Sequence, residues 1–226
     1  MNKIEKHFLG KLLDEDGKIK VPEYANHIKI DVGLSHTAVN SILWINNPDL
    51  KDRHIFAFEP QKFLNPFRNI ETSRFTFINA GLDNISEGEV QEMFICGEDP
   101  GRSSVYTPNT FVPSRKETVF MIPFISFLEK IPWKRFDFIE HLKTDTQGND
   151  LRILKNASEY LKRIVFLEVE ATCYPNEYSY YPKKKETQGF LESMGFSLIN
   201  EKGIDQTYLN NRFKEISKNL DYSRVP

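Results

Sequence analysis

Residues Ile28-Lys-Ile-Asp-Val-Gly-Leu-Ser-His-Thr37 predict a strand that ends in a glycine turn and leads into a helix. The spacing after the turn favours a helix that begins near Thr37, with Ser35 as its N-cap. A glycine turn below a helix N-terminus leaves free backbone N–H groups that bind a ligand. For His36, a surface or packing role is the alternative. The candidate cofactor-binding residues of this stretch are Asp31, Gly33, Ser35, His36 and Thr37.

A second apolar run, His54–Phe58, ends in Glu59-Pro60, 26 residues after the glycine. In open α/β sheets, a carboxylate about twenty residues past the glycine turn hydrogen-bonds the ribose hydroxyls of a nucleotide. The segment Asn79-Ala80-Gly81 follows the third predicted strand, where the adenine edge is expected, although a simple turn is the alternative. Together, these residues predict a cofactor that contains adenosine.

Composition excludes several classes of protein. The 226 residues carry a net charge of -2, so no electrostatic field favours nucleic acid or an anionic membrane. Cys96 and Cys173 are far apart in the sequence, which indicates reduced thiols and a cytoplasmic compartment. We see neither a signal peptide at the N-terminus nor an apolar run long enough for a transmembrane helix.

Strand-like and helix-like segments alternate along the sequence, which is typical of one α/β domain with a mostly parallel central sheet and helices on both faces. We expect a helical lead-in at 1–27, a core at 28–210 and a tail at 211–226. The Gly-, Pro- and Ser-rich loop Gly97–Pro113 has a length that indicates function or disorder. The predicted strands are Ile28–Val32, His54–Phe58, Phe75–Ile78, Val90–Ile95, Val119–Ile122, Phe138–Thr144, Ile164–Val169, Phe196–Ile199 and Gln206–Leu209, and the predicted helices are Lys3–Leu13, Thr37–Ile45, Asp150–Leu161 and Glu186–Met194.

An ordered set of short motifs resembles the FkbM-type methyltransferases over roughly Ile28 to Asn210, nearly the whole chain. The resemblance implies a Rossmann-like class I fold, S-adenosylmethionine as methyl donor, and O-methylation of sugars or other hydroxylated compounds. Two positions depart from the family pattern, because Thr37 replaces a second loop glycine and Gln147 stands where many members carry Glu. The motifs are Asp31-Val-Gly33, Phe58-Glu-Pro60, Asn79-Ala80, Ser103-Ser104, Leu142-Lys-Thr-Asp-Thr-Gln-Gly148, Asp150-Leu-Arg-Ile-Leu154 and Phe166-Leu-Glu168.

Asp145 is the residue we expect to carry the chemistry. It ends the predicted strand Phe138–Thr144, beside the point where open α/β sheets bind ligands. Its carboxylate could take the proton of an attacking hydroxyl as a general base, or help to hold a metal that lowers the pKa of that hydroxyl. Lys143 lies two residues earlier on the same side of the strand and favours the ionised form of Asp145. Capping of the helix that follows is the alternative role for Asp145.

Glu168 and Glu170 close the next strand and share one face. With Asp145, Glu168 could form an oxygen-ligand site for Mg²⁺ or Mn²⁺. We favour a metal-free base, because carboxylates at strand ends often bind substrate hydroxyls instead, and Glu170 is therefore a candidate substrate residue.

Two loops are candidate substrate walls. The loop Gly101–Tyr106 offers the hydroxyls of Ser103 and Ser104 as hydrogen-bond partners for a polar acceptor. A mobile lid is the alternative role for this loop. The tyrosine-rich loop at 174–182 contributes Tyr174 and Tyr178, whose rings could stack on a sugar. A contact between copies in an oligomer is the alternative for this loop.

The sequence therefore predicts an S-adenosylmethionine-dependent O-methyltransferase that acts on a hydroxyl of a saccharide or glycan. A nicotinamide-dependent oxidoreductase is the first alternative, although the G-x-G-x-x-G pattern of that class is missing around Gly33. The second alternative is a non-catalytic module with a degenerate methyltransferase fold, which the Thr37 departure suggests.

Overall fold

The computed structural model describes residues 1–62, 73–172 and 176–220. These residues form ten strands and six α-helices, with short 3₁₀ turns between some of them. The strands are β1 (His27–Val32), β2 (Arg53–Phe58), β3 (Phe75–Ile78), β4 (Gly81–Asp83), β5 (Glu89–Ile95), β6 (Arg115–Pro123), β7 (Ile139–Thr144), β8 (Ile164–Glu170), β9 (Phe196–Lys202) and β10 (Asp205–Asn210). The helices are α1 (Lys3–Leu9), α2 (Val39–Asn46), α3 (Phe124–Leu128), α4 (Asp150–Asn156), α5 (Ser158–Leu161) and α6 (Lys184–Ser193).

The central sheet has seven strands in the order β3-β2-β1-β7-β8-β10-β9. The first five of these are parallel, and β10 pairs antiparallel with both of its neighbours, β8 and β9. The chain runs outward from β1 to β3 and later resumes on the other side of β1 with β7. The strand order therefore reverses between β1 and β7, where open α/β sheets leave a ligand crevice at the carboxyl ends of the strands. This confirms the predicted Rossmann-like architecture.

A second, three-stranded sheet in the order β4-β6-β5 was not predicted as a separate unit. The segments Val90–Ile95 and Val119–Ile122 form strands as expected, but they pair with each other and with β4. Helix α3 was also missed, because its five residues are too few for a periodic signal. Phe127 of α3 packs with its ring centroid 5.3 Å from Phe56 and 5.0 Å from Phe58, so this helix joins the main core.

Strand β1 is buried on both faces, although its sequence alternates apolar and charged residues. The charged residues are compensated by partners brought from other elements. The Lys29 ammonium lies 2.7 Å from a carboxylate oxygen of Glu140 and above the ring of Trp44. Ser41 of α2 donates a hydrogen bond of 2.7 Å to Asp31. Buried ionic groups persist in proteins only with such partners.

All four predicted helices differ in their bounds from the observed ones. Helix α1 ends at Leu9 instead of Leu13, and α6 spans Lys184–Ser193 instead of Glu186–Met194. The predicted helix Asp150–Leu161 is divided at Ala157 into α4 and α5. Helix α2 begins at Val39, and its N-cap position is Ala38 in a left-handed conformation with no side-chain cap. The prediction that Ser35 caps a helix from Thr37 is therefore wrong, because the chain makes further turns after Gly33 before helical geometry begins.

Candidate active site

A cavity of about 260 Å³ opens at the carboxyl ends of β1, β2, β7 and β8. These strand ends contribute Gly33, Glu59, Asp145 and Glu170, which are far apart in the sequence. Their common position follows from the parallel pairing of the strands, because parallel strands end at the same edge of a sheet. The predicted site residues that border the cavity are Asp31, Gly33, Ser35, Thr37, Glu59, Pro60, Gly81, Ser103, Lys143, Asp145, Glu168 and Glu170.

Gly33 makes the close approach of two loops possible. Its φ of 78° is a conformation that favours glycine, and a Cβ built on it would overlap the backbone carbonyl of Asp145. The N–H groups of Gly33 and Leu34 both donate to the carbonyl of Phe58, at 3.0 and 3.2 Å. The glycine turn is thus fixed between the ends of β2 and β7.

The loop after Gly33 turns twice through the left-handed region, at Ser35 (φ 59°) and Ala38 (φ 45°). Non-glycine residues in this region store strain, which clusters at functional sites. Thr37 is exposed and borders the cavity. His36 does not border it, and its Nδ1 lies 3.2 Å from the Ser35 hydroxyl instead.

Glu59 organises the glycine loop from the end of β2. The residue is buried, and its two carboxylate oxygens accept hydrogen bonds from the backbone N–H groups of Ser35 (3.0 Å) and Gln61 (2.9 Å). Burial raises the pKa of Glu59 to about 7, although these N–H groups and Lys143 oppose the shift. Each carboxylate oxygen has a further lone pair, which leaves acceptor capacity toward the cavity.

The residues predicted at the adenine edge divide into two groups. Asn79 and Ala80 do not border the cavity. The Asn79 amide donates instead to the carbonyls of Glu59 (2.8 Å) and Gln61 (3.0 Å) and so supports the turn that holds Glu59. Gly81 does border the cavity, where it begins β4. Leu82, Met93 and Met121 of the second sheet, together with Val105 of the neighbouring loop, form an apolar wall there that sequence patterns did not predict.

Lys143 forms ion pairs with two carboxylates near the ends of β1 and β7, those of Asp31 and Asp145. Its ammonium lies 3.5 Å from Asp31 and 3.4 Å from Asp145, and it donates to the carbonyl of Gly33 at 3.1 Å. Burial alone lowers the pKa of this ammonium, but the neighbouring carboxylates outweigh burial and the pKa is raised. Lys143 is therefore held in its charged form. Burial raises the pKa of Asp31, and Lys143 and the hydroxyl of Ser41 partly offset the increase.

Asp145 does not cap the helix that follows it. Helix α4 begins at Asp150, and the carboxylate of Asp150 accepts from the backbone and the hydroxyl of Thr146 at 3.3 and 2.9 Å. The side chain of Asp145 is 40% exposed and borders the cavity. The Gln147 amide, on a residue with φ of 55°, donates to Asp145 and to Glu170 at 3.0 Å each. Gln147 therefore holds two carboxylates beside each other.

The cavity is strongly acidic. Burial raises the pKa of Glu170, and Asp145, Asp150 and Asp205 raise it further. Asp205 lies opposite Glu170 on β10, and its pKa is raised to about 6, first by burial and then by neighbouring carboxylates. Among the described residues that border the cavity, the one cationic side chain is that of Lys143. The bordering carboxylates are those of Asp31, Glu59, Asp145, Glu168, Glu170 and Asp205.

The predicted metal ligands do not form a recognisable metal centre. Within residues 1–62, 73–172 and 176–220, no group of three or more His, Cys, Asp or Glu side chains is arranged to hold a metal ion. Glu168 instead places one carboxylate oxygen 3.6 Å from Nε2 of His141, a buried residue whose pKa is lowered by burial.

The two predicted acceptor loops meet at the cavity, but not all of their residues face it. Ser103 borders the cavity, whereas Ser104 is buried and donates to the carbonyl of Gln147 at 2.8 Å. Tyr178 is only 1% exposed, and its hydroxyl contacts the carbonyl of Arg102 (2.7 Å) and the Gln147 side chain (3.0 Å). Its ring is therefore not available to stack on an acceptor, so this expectation is corrected. Tyr174 lies outside the described residues.

Sequence reasoning missed several residues of the site. Gln61 and Asn149 border the cavity from turns, and Asp205 borders it from β10. Gln147 was noted as a departure from a family pattern, but its bridging role depends on Glu170, 23 residues away. Asp205 carries no local signal, because the antiparallel pairing of β10 with β8 brings it to the site.

Comparison with known proteins places the chain in one family. The model of the methyltransferase FkbM domain family matches residues 31–198, which contain most of the central sheet and the cavity residues from Asp31 to Glu170. No curated protein matches the chain. Within the part of the chain that the structure describes, no helix combines the length and the apolar character that a membrane crossing requires.

Proposed function

The chain belongs to the FkbM methyltransferase family, and we propose that it transfers the methyl group of S-adenosylmethionine to a hydroxyl group of a saccharide. The observation that carries this proposal is the meeting of Gly33, Glu59 and Asp145 in one cavity at the reversal of strand order. A cofactor cradle and a candidate general base thus border the same space.

The charge of the cavity favours this donor over a dinucleotide. S-adenosylmethionine supplies, when bound, a methyl group on a positively charged sulfur, and it also carries an ammonium group. Six carboxyl groups border the cavity, and a bound cation favours their ionised form, whereas ionised carboxylates repel the pyrophosphate of a nicotinamide cofactor. Glu59 would hold the ribose hydroxyls, Asp31 would lie beside the ammonium, and the turn at Gly33 would admit the methionine part.

Asp145 would act as the general base. An attacking hydroxyl must lose its proton as it bonds to the methyl carbon, and a carboxylate within hydrogen-bond reach can accept that proton. The ammonium of Lys143 lies 3.4 Å from this carboxylate and the amide of Gln147 donates to it at 3.0 Å, so both hold it in position. The proton would pass to the Asp145 carboxylate, which is open to solvent and can release it there.

The polar wall around Asp145 supports a saccharide as the acceptor. Ser103, Gln147, Asn149 and Glu170 border the cavity there with hydroxyl, amide and carboxylate groups. Such groups suit an acceptor with several hydroxyls, because each buried hydroxyl of a ligand needs a hydrogen-bond partner.

Calorimetry and thermal unfolding test the proposed donor. We expect S-adenosylmethionine and S-adenosylhomocysteine each to raise the melting temperature through linkage, and NAD to leave it unchanged. Glu59→Ala should weaken binding of S-adenosylhomocysteine by about 1–3 kcal/mol, the effect of losing hydrogen bonds to a charged group. A glycan screen with isotopically labelled S-adenosylmethionine then tests the acceptor. Stabilisation by NAD alone would refute the proposed donor.

A further inference from the structure

Two tyrosine rings, Tyr106 and Tyr180, lie together on the loops beside the cavity. Their ring centroids are 5.0 Å apart with planes inclined by 46°. Tyr180 is 40% exposed, in contrast to the buried Tyr178 of the same loop. The exposed Tyr180 ring, packed against the half-buried Tyr106 ring, offers an apolar face with polar hydroxyls at its edge.

The backbone explains why these rings meet. Ser179 donates to the carbonyl of Thr107 and Asn109 donates to that of Glu177, each at 2.7 Å. Pro108 and Tyr178 form an antiparallel bridge between these bonds. The same register places Tyr106 opposite Tyr180, two residues from the bridge. Side chains two residues apart in an extended segment point to the same side. Tyr106 and Tyr180 therefore lie on the same side of the paired segments as Tyr178, whose hydroxyl contacts Gln147 at the cavity.

Tyr106 is held rigidly at the cavity rim. Its hydroxyl donates to the side-chain oxygen of Asn149 at 3.0 Å, and its backbone N–H donates to the hydroxyl of Ser104 at 3.1 Å. Asn149 borders the cavity and donates in turn to the carbonyl of Leu82 at 3.1 Å. A ring that is already ordered loses little conformational entropy when a ligand binds to it.

A charged side chain, that of Arg152, interacts electrostatically with the hydroxyls of both tyrosines. Arg152 bonds Asp83 at 3.0 Å, and its side chain is 42% exposed. Burial raises the pKa of the Tyr106 hydroxyl, and the positive charge of Arg152 acts on the same hydroxyl in the opposite direction. A guanidinium carries five N–H donors, so Arg152 can donate to a ligand hydroxyl while it remains bonded to Asp83.

We infer that Tyr106 and Tyr180 form a sugar-binding subsite at the cavity rim, where the pyranose ring next to the methylated residue stacks on Tyr180 while Arg152 binds its hydroxyls. This inference rests on the proposed function. The tyrosine pair lies outside the cavity lining, so a ring stacked there is not the ring beside Asp145. The acceptor is therefore a saccharide of at least two residues.

Retention on an array of immobilised monosaccharides, oligosaccharides and simple phenols tests this inference, with S-adenosylhomocysteine present. We expect wild-type protein to bind oligosaccharides and not monosaccharides. Tyr180→Ala should weaken that binding by about tenfold or more, and Tyr180→Trp should keep it, because stacking requires an aromatic face. Tyr24→Ala is the matched control, since Tyr24 is 38% exposed and lies just before β1, at the opposite edge of the sheet.

Each result has a definite meaning. Melting temperatures and calorimetric titration with S-adenosylhomocysteine should be the same for Tyr180→Ala and wild type, which separates loss of acceptor binding from loss of the fold. Oligosaccharide binding that survives Tyr180→Ala overturns the inference and leaves the proposed function standing. Retention on phenols alone, or on no member of the array by a protein that binds S-adenosylhomocysteine, overturns the saccharide acceptor and the subsite together. Absence of S-adenosylhomocysteine binding overturns the proposed donor instead.

Discussion

The backbone carbonyl of Asp145 occupies the space that a side chain on Gly33 would need. The glycine turn and the candidate base are thereby held in contact, although 112 residues separate Gly33 and Asp145 in the sequence. Lys143 reinforces the contact, because its ammonium bonds both the carbonyl of Gly33 and the carboxylate of Asp145. A change at Gly33 should therefore affect donor binding and the base together.

Gly33→Ala should be strongly destabilising. The left-handed φ of 78° alone costs about 1–3 kcal/mol for a residue with a Cβ, and the overlap with Asp145 adds to this cost. We expect a lower free energy of unfolding in urea and no detectable S-adenosylhomocysteine binding by calorimetry. Gly189→Ala in α6 is the control and should stabilise by about 0.5–1 kcal/mol, because nothing lies within 4 Å of its Cβ position. Wild-type stability and binding in Gly33→Ala would contradict this account.

The raised pKa of Glu59, about 7 because of burial, predicts a pH-dependent stability. The folded chain holds this proton more tightly than the unfolded chain. The contribution of Glu59 to stability is therefore complete below about pH 4.5 and is lost as the pH rises through about 7. Relative to Glu59→Gln, wild type should lose about 1.4 kcal/mol per pH unit across this window. Urea unfolding of both proteins at several pH values measures the difference, and parallel curves would show that Glu59 does not titrate there.

Local patterns in the sequence were sufficient for most of the central sheet. The apolar runs before Gly33, Glu59 and Asp145 are short, buried and β-rich, so the strands and the edge at which they end could be predicted. The partners of the buried charged residues could not be predicted from local patterns. Lys29 and Glu140 are 111 residues apart in the sequence, and the alternating charges of β1 would equally suit a half-exposed strand. The burial of Lys29 and Glu140 depends on their pairing with each other in the tertiary structure.

Glu140→Leu tests this buried ion pair. The carboxylate of Glu140 is fully buried between Lys29 and Arg53, at 2.7 and 3.0 Å. Burial by itself raises its pKa, but these two cations outweigh burial and the pKa is lowered. Removing this carboxylate from two buried cations should cost about 3–5 kcal/mol in urea unfolding. The double variant Lys29→Met with Glu140→Leu should recover part of the loss, and an equal or greater loss would show that Lys29 is stabilised by other groups.

Thr37 should be tolerated in donor binding. Its side chain is exposed, and α2 begins two residues later, so the first N–H groups of that helix lack intrahelical partners. These N–H groups can donate hydrogen bonds to the carboxylate of the methionine part of the donor, whether residue 37 is Thr or Gly. Thr37→Gly should therefore change the dissociation constant of S-adenosylhomocysteine by no more than about tenfold, or 1.4 kcal/mol. If wild type binds no donor while Thr37→Gly does, the degenerate, non-catalytic alternative is correct.

Asp145→Asn should separate chemistry from folding. The side chain is 40% exposed and does not cap α4, and Asn keeps one oxygen that can accept from the Gln147 amide, so little packing or hydrogen bonding is lost. We expect wild-type melting behaviour and donor affinity, with methyl transfer reduced by about 10² or more. Asp205→Asn is a matched control, because Asp205 borders the same cavity from β10 and should reduce the rate by less than about tenfold. Similar rate losses in both variants would indicate a general effect of cavity charge.

A chelator then separates the two roles open to Asp145. We favour the metal-free base, for which EDTA leaves the rate unchanged and the rate rises with pH through one ionisation. A metal-assisted site would lose activity in EDTA and regain it with Mg²⁺ or Mn²⁺, and Glu168→Gln would then resemble Asp145→Asn. Glu168 faces His141 at 3.6 Å, so its substitution in a metal-free enzyme should have a smaller effect than that of Asp145. Near wild-type turnover in Asp145→Asn would remove Asp145 from the mechanism and leave its contacts with Lys143 and Gln147 as its role in the structure.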